Sequence, residues 1–171
     1  MGMEHQFIKD GKLDRGPLLA ELRSFLNLML AKMRLEVQYE IKEFEAAAGE
    51  VEHPEVLVNF RGRDQELLLQ QHAELLTAIE YLTHRCLRLD PHFYDHVQFD
   101  SGDYRATRLE ELKLSAKVAA QRVVETKQPF RLNPMSARER RVVHLVLKGV
   151  PGVRTSSEDA GDHRHVVIHP A

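Results

Sequence analysis

The sequence predicts an α+β protein made of two small domains, and three observations predict it. The hydrophobic period switches between about 3.6 and 2 residues several times, so helices and strands are interleaved. The segment Asp100-Ser101-Gly102-Asp103 punctuates the chain between two such series of elements. The charge also changes sign there. Before Tyr104, eleven Lys and Arg face nineteen Asp and Glu, a balance of −8; from Tyr104 onward thirteen face seven, a balance of +6. The net charge of −2 conceals this asymmetry, which suggests two units with different partners. A chain of 171 residues is long enough for each unit to bury a core.

Residues 1–16 are polar and patternless and read as a loose tail. From Pro17, Leu18, Leu22, Phe25, Met29 and Met33 recur at spacings of three and four, which predicts a helix; proline suits its first turn. Leu35, Val37, Tyr39 and Ile41 then alternate with Glu36, Gln38 and Glu40 as a half-buried strand. "EAAAGEVEHPE" reads as a turn or loose connection, and Val56, Val58 and Phe60 form a second strand ending near Gly62. Asp64 is an N-cap for a short helix carrying Leu67 and Leu68. A longer helix follows with Leu75, Ile79, Leu82 and Cys86 on one face, ending before Asp90-Pro91. Cys86, the single cysteine, reads as a small core residue; it excludes an internal disulfide and fits a reducing compartment. Val97 and Phe99 alternate with His96, Gln98 and Asp100 as a third strand, completing a domain over residues 17–103.

The second domain, residues 104–171, opens with a long helix from Tyr104 whose stripe is Leu109, Leu112, Ala116, Ala119 and Val123 and which stops near Gln128-Pro129. Phe130-Arg131-Leu132 is a short strand. A helix runs from about Ala137 to Lys148 and ends at Gly149. Val153–Ser157 and His163–Ile168 flank the turn-rich "EDAGD" and form a hairpin.

Several function classes are disfavoured. No apolar run approaches the roughly 18 residues that span a membrane, and the N-terminus lacks a secretory apolar segment, so a cytoplasmic protein without membrane insertion is expected. Gly-rich nucleotide loops, a nucleophile elbow and a His-Glu-x-x-His run are absent, so no enzyme, catalytic residue or cofactor is expected. His163, His165 and His169 alternate near a strand end without a carboxylate or thiol partner, which is a weak metal signal; no metal is expected.

The informative stretch is Ser136-Ala-Arg-Glu-Arg-Arg-Val-Val-His144. Ser136 and Glu139 form the Ser-x-x-Glu pattern of a capping box, which specifies where the helix starts. At about 100° per residue, Arg140, His144, Lys148 and Arg141 lie within one narrow basic stripe, while Val142, Val143, Leu145, Val146 and Leu147 wrap the other sides. Arginine one turn from histidine sets a planar phosphate fork beside a ring that can stack or hydrogen-bond, which suits single-stranded nucleic acid. By residue chemistry alone, this reading and that of a solvated helical face stand level.

Arg140-x-x-x-His144 within "PMSARERRVVHLVL", followed by "GVRTSSEDAGDHRHVVIHP", resembles the Arg-xxx-His (R-three-H) domain, and more closely the C-terminal half of the bacterial Jag family, also called KhpB. "DSGDYRATR" is similar to that family's junction, with Tyr104, Arg105 and Arg108 matching. The first half resembles, less closely, the family's type II KH domain, in the order helix, strand, strand, helix, helix, strand. Gln70-Gln71-His72-Ala73 occupies the position of that domain's Gly-x-x-Gly loop and lacks its glycines. The family's N-terminal extension has no counterpart in this sequence. The resemblance implies binding of single-stranded RNA, with single-stranded DNA as the alternative, in a post-transcriptional regulator or RNA chaperone. It implies phosphate contacts from Arg140 and Arg164 and weaker ones from Arg154, with His144 stacking or hydrogen-bonding; Arg141 and Lys148 add general attraction. The competing expectation is a protein-interaction module whose acidic KH-like half binds a second KH protein or a copy of itself.

Overall fold

A computed structural model describes residues 6–45 and 54–171. Most of "EAAAGEVEHPE" lies outside the described residues. The chain divides into two compact units, Met1–Tyr104 and Arg105–Ala171. The fold is mixed α+β, and among the described residues no helix is long and apolar enough to cross a membrane.

Residues 1–5 of the expected loose tail lie outside the described residues, and the remainder of that stretch is structured. β1 (Ile8–Lys9) and β2 (Lys12–Leu13) pair as a small antiparallel hairpin. Its turn, Asp10-Gly11, has φ of 53° and 72°, the left-handed pair that an Asp-Gly hairpin requires. The polar composition hid two anchors: Phe7 is 2% exposed, Leu13 is 7% exposed, and both join the core. The hairpin leads into α1 (Arg15–Met33), whose fully buried stripe is Leu18, Leu22, Leu26 and Leu30. Phe25, Met29 and Met33 are only partly buried, because the stripe centres on the i, i+4 leucine row.

β3 (Val37–Glu43) and β4 (Val56–Gly62) pair antiparallel, and β5 (Val97–Ser101) adds parallel to β4, in the order β3-β4-β5. β5 is buried along its whole length rather than on alternate residues. Its polar groups are satisfied internally: Gln98 Nε2 donates to the Asp95 carbonyl at 2.8 Å, and Ser101 Oγ donates to the Phe60 carbonyl at 3.0 Å. Between β4 and β5 runs α2 (Gln65–Cys86), which is broken at Gln70–Ala73. Gln71, His72 and Ala73 have φ of 51°, 60° and 60°, three consecutive left-handed residues without a glycine. The short-then-long helix pattern is therefore present, with a backbone break where the sequence suggested that no loop remained.

Two details of α2 differ from expectation. Cys86 and Leu82 are exposed, because the buried face is Ala73, Leu76, Ile79, Thr83 and His84, which lies around the helix from them. Thr83 Oγ1 donates to the Ile79 carbonyl, and His84 Nε2 sits 2.8 Å from the Val97 carbonyl with its ring stacked on Tyr94, so these polar side chains can occupy core positions. Asp64 stands at the N-cap position, yet its carboxylate accepts from the Glu36 amide at 2.8 Å instead of capping α2.

The C-terminal unit contains α3 (Tyr104–Thr126), β6 (Phe130–Arg131), α4 (Ala137–Leu147), β7 (Val153–Glu158) and β8 (His165–Pro170). The sheet order is β6-β8-β7, all antiparallel. Leu112, Ala116, Ala119, Ala120 and Val123 of α3 meet Val143 and Leu147 of α4 and Val166 and Ile168 of β8 in one core. The alanines let helix and sheet approach closely.

Gly62 offers a test of the β3–β4 register. It pairs with Val37 at φ 149°, and a Cβ there would lie 2.4 Å from the Glu36 carbonyl oxygen. Gly62→Ala should lower unfolding stability by about 1–3 kcal/mol, measured by urea denaturation, because the clash is with backbone.

Candidate nucleic-acid interface

Helix α4 starts where its cap dictates. The Ser136 hydroxyl accepts from the Glu139 amide at 3.3 Å, and the Glu139 carboxylate accepts from the Ser136 amide at 2.8 Å. The other oxygen of that carboxylate takes the Nε–H of Arg108, on α3, at 2.8 Å. Burial would raise the Glu139 pKa, but the hydrogen bonds from Arg108 and from the Ser136 amide and hydroxyl, with the Arg108 charge, hold it below the usual glutamate value. The capping box is as the sequence predicts; the ion pair to α3 adds a tether that spacing could not reveal.

With the start fixed, Arg140 and His144 fall one turn apart. Arg140 is half-buried, and its Nη1 donates to the Met135 carbonyl at 2.9 Å, which leaves the rest of the guanidinium fork for other partners. The Met135 amide in turn donates to the Arg164 carbonyl at 3.2 Å, so the segment entering β8 lies against the entry to α4. Arg164 is exposed and extended, immediately before β8. The fold thus brings Arg140 and Arg164 to one end of the unit.

His144 is half-buried and both of its ring nitrogens have partners. Nδ1 lies 2.7 Å from Thr155 Oγ1 and Nε2 lies 2.9 Å from Ser157 Oγ. Burial first, and the neighbouring Arg140 charge second, lower its pKa below the usual histidine value. The sequence reading missed the two hydroxyls, although the alternation of Thr155 and Ser157 on one face of β7 was visible.

The other candidates are dispersed. Arg141 and Lys148 are exposed, Lys148 at the C-cap of α4. Leu145 is 52% exposed and therefore does not join the apolar wrap around the stripe. Arg154 pairs with His169 and Ser156 with Val167, whereas Thr155 and Ser157 pair with the core residues Ile168 and Val166. Arg154 consequently sits on the sheet face opposite His144, away from Arg140. His165 is buried: its Nδ1 is 3.0 Å from the His163 carbonyl and 3.4 Å from the Asp159 carboxylate. His169 Nε2 is 2.8 Å from Ser156 Oγ. Among the described residues, no group of three or more His, Cys, Asp or Glu is arranged to hold a metal. Gln70, Gln71, His72 and Ala73 lie in the other unit, at the break in α2.

Against known families, residues 110–170 match the R-three-H (Arg-xxx-His) domain. The chain carries an R-three-H domain. Over about two thirds of its length it is also similar to curated proteins called "RNA-binding protein KhpB". It is 33% identical to that of Clostridium symbiosum over 114 residues, which is 67% of this chain and 51% of the relative. It is 34% identical to that of Bacillus subtilis strain 168 over 115 residues, 66% of this chain and 55% of the relative. A third relative, from Lactiplantibacillus plantarum, is 33% identical over 65% of this chain and 34% of its own length. The resemblance to the Jag (KhpB) family read from the sequence is borne out by these matches, although the chain spans only about half the length of the first two relatives. The R-three-H match contains Arg140, His144, Thr155, Ser157 and Arg164.

The Glu139 tether gives a stability test. Because its folded-state pKa is lowered, its contribution is present above the ordinary glutamate pKa and is lost as pH falls through the lowered value. Glu139→Gln should cost about 1–2 kcal/mol at pH 7. The gap to the wild type should close as the pH falls below the ordinary glutamate range and through the lowered pKa, as followed by thermal melts monitored by circular dichroism.

Proposed function

We propose that this chain is a non-catalytic single-stranded RNA-binding protein that holds the RNA backbone through its R-three-H domain. The observation that carries the reading is the placement of Arg140 and Arg164 at the capped end of α4, linked through the two backbone groups of Met135. Two arginine forks at one site suit phosphate oxygens, and Arg141 and Lys148 add sequence-independent attraction along α4. The R-three-H match and relatives called RNA-binding proteins support RNA as the partner, and the positive balance of the second half supports a polyanion. Arg154, on the other sheet face, is outside this site in our reading. The function that follows is cytoplasmic post-transcriptional regulation or RNA chaperoning in a bacterium.

For the N-terminal unit we propose a KH type II-like domain over residues 17–103. The order helix, strand, strand, broken helix, strand supports it, and the left-handed Gln71–Ala73 segment would stand where the Gly-x-x-Gly loop is expected. Side chains at these positions would block the close backbone approach that glycines permit, and the unit is acidic. Its role in this reading is protein contact, either with a second copy or with another KH protein. The neighbouring exposed side chains of Tyr81, at 58%, and Leu82, at 50%, favour such a surface on α2.

The test is fluorescence anisotropy of a labelled single-stranded RNA with the full chain. Arg140→Ala and Arg164→Ala should each weaken binding about tenfold, the loss of one charge-assisted contact. Each should also reduce the salt slope by about one unit. Unchanged affinity in folded variants would overturn the site, and Arg154→Ala should have the smaller effect.

A further inference from the structure

His144 has spent its hydrogen-bonding capacity inside the protein. With Thr155 Oγ1 at 2.7 Å from one ring nitrogen and Ser157 Oγ at 2.9 Å from the other, reading a base edge would require breaking one of these bonds. The hydroxyls themselves are not exhausted. Each has one proton and two lone pairs, and each is half-buried on the face of β7 that looks toward α4.

The ring dictates how the hydroxyls can act. A neutral imidazole has one N–H and one lone pair. One hydroxyl therefore accepts from the ring and keeps its own proton for an outside acceptor; the other gives its proton to the ring. A phosphodiester oxygen only accepts, so the pair offers it one donor while the ring is neutral. With the ring protonated, both nitrogens donate inward and both hydroxyls can donate outward, beside a new positive charge. We propose that the Thr155–Ser157 hydroxyl pair, clamped by His144, contacts a phosphate of the bound single-stranded RNA, and that His144 is a positioning residue that aims those hydroxyl protons.

The inference rests on the RNA-binding reading and deepens it. The charged surroundings agree with an anion here. From α4, Arg140 lies one turn before His144, and Arg164 enters β8 beside Met135 at the same end. From β7, the facing groups are the two neutral hydroxyls; Glu158 lies on the opposite sheet face with His165 and His169, and Asp159 approaches His165. From β8, the facing side chains are Val166 and Ile168. In the free protein, burial and Arg140 favour the neutral ring. A bound phosphate opposes that preference and raises the ring pKa, so RNA binding favours proton uptake at this site.

Two measurements on the full chain decide it. In anisotropy titrations with a fluorescein-labelled oligouridylate, Ser157→Ala and Thr155→Val should each weaken binding about three- to tenfold. Ser157→Thr should restore it. In the unaltered protein, ¹⁵N NMR of the histidine rings should show His144 titrating at higher pH with the oligouridylate than without it, while a His144→Gln chain loses that proton uptake. If Arg140→Ala weakens binding but Ser157→Ala and Thr155→Val bind like the wild type, or if the His144 titration does not move, this inference fails and the RNA-binding site stands. If the unaltered chain does not bind, or Arg140→Ala is without effect, the underlying reading fails and takes the inference with it. Should the hydroxyl variants not fold, the NMR titration of the unaltered chain decides alone.

Discussion

The carboxylate of Glu139 does two jobs at once in the C-terminal unit. One oxygen closes the first turn of α4 on the Ser136 amide, and the other holds Arg108 of α3. A helix start that is both capped and tied to a neighbouring helix cannot slide by a residue, and a one-residue slip would rotate the α4 side chains by about 100°. Val143 and Leu147 would then leave the core, and Arg140 and His144 would leave Met135 and β7. The register of the arginine, the clamp on the two hydroxyls and the position of the chain entering β8 all follow from that anchored turn.

The α4 helix was legible because its signals are local. A capping box and an angular count involve residues within a few positions of each other; the structure reproduces the box and sets Arg140 and His144 one turn apart, while Leu145 leaves the apolar wrap. The partners of α4 were not legible. Arg108 lies 31 positions from Glu139, and Thr155 and Ser157 lie 11 and 13 positions from His144. Those pairings exist only once the elements have packed together. Arg154 falls on the sheet face opposite His144 because residues adjacent in a strand alternate sides.

In the N-terminal unit the errors have a different origin. The hairpin at Ile8–Leu13 carries a clear Asp-Gly turn signal, but short polar strands obscured it, and only Phe7 and Leu13 commit it to the core. Along α2, apolar character suggested the wrong face. Thr83 and His84 are inside because each has an acceptor waiting, whereas Leu82 and Cys86 are outside. A pattern of hydrophobicity cannot anticipate a buried histidine whose cost is cancelled by the Val97 carbonyl and a stacked tyrosine.

The parallel pairing of β4 with β5 gives the N-terminal unit a non-local connection. β3 and β4 are antiparallel, but β5 can meet β4 only after the whole of α2 has turned back across the sheet. Val56 and Val97 are joined across 41 positions of chain, a long loop closure. The left-handed break at Gln71–Ala73 sits in the middle of that connection. Its conformation is unfavourable in isolation and is recovered only when Ala73 and Leu76 reach the core. The first half of the chain thus depends on non-local pairing, with three left-handed residues inside the connection that the parallel strand requires.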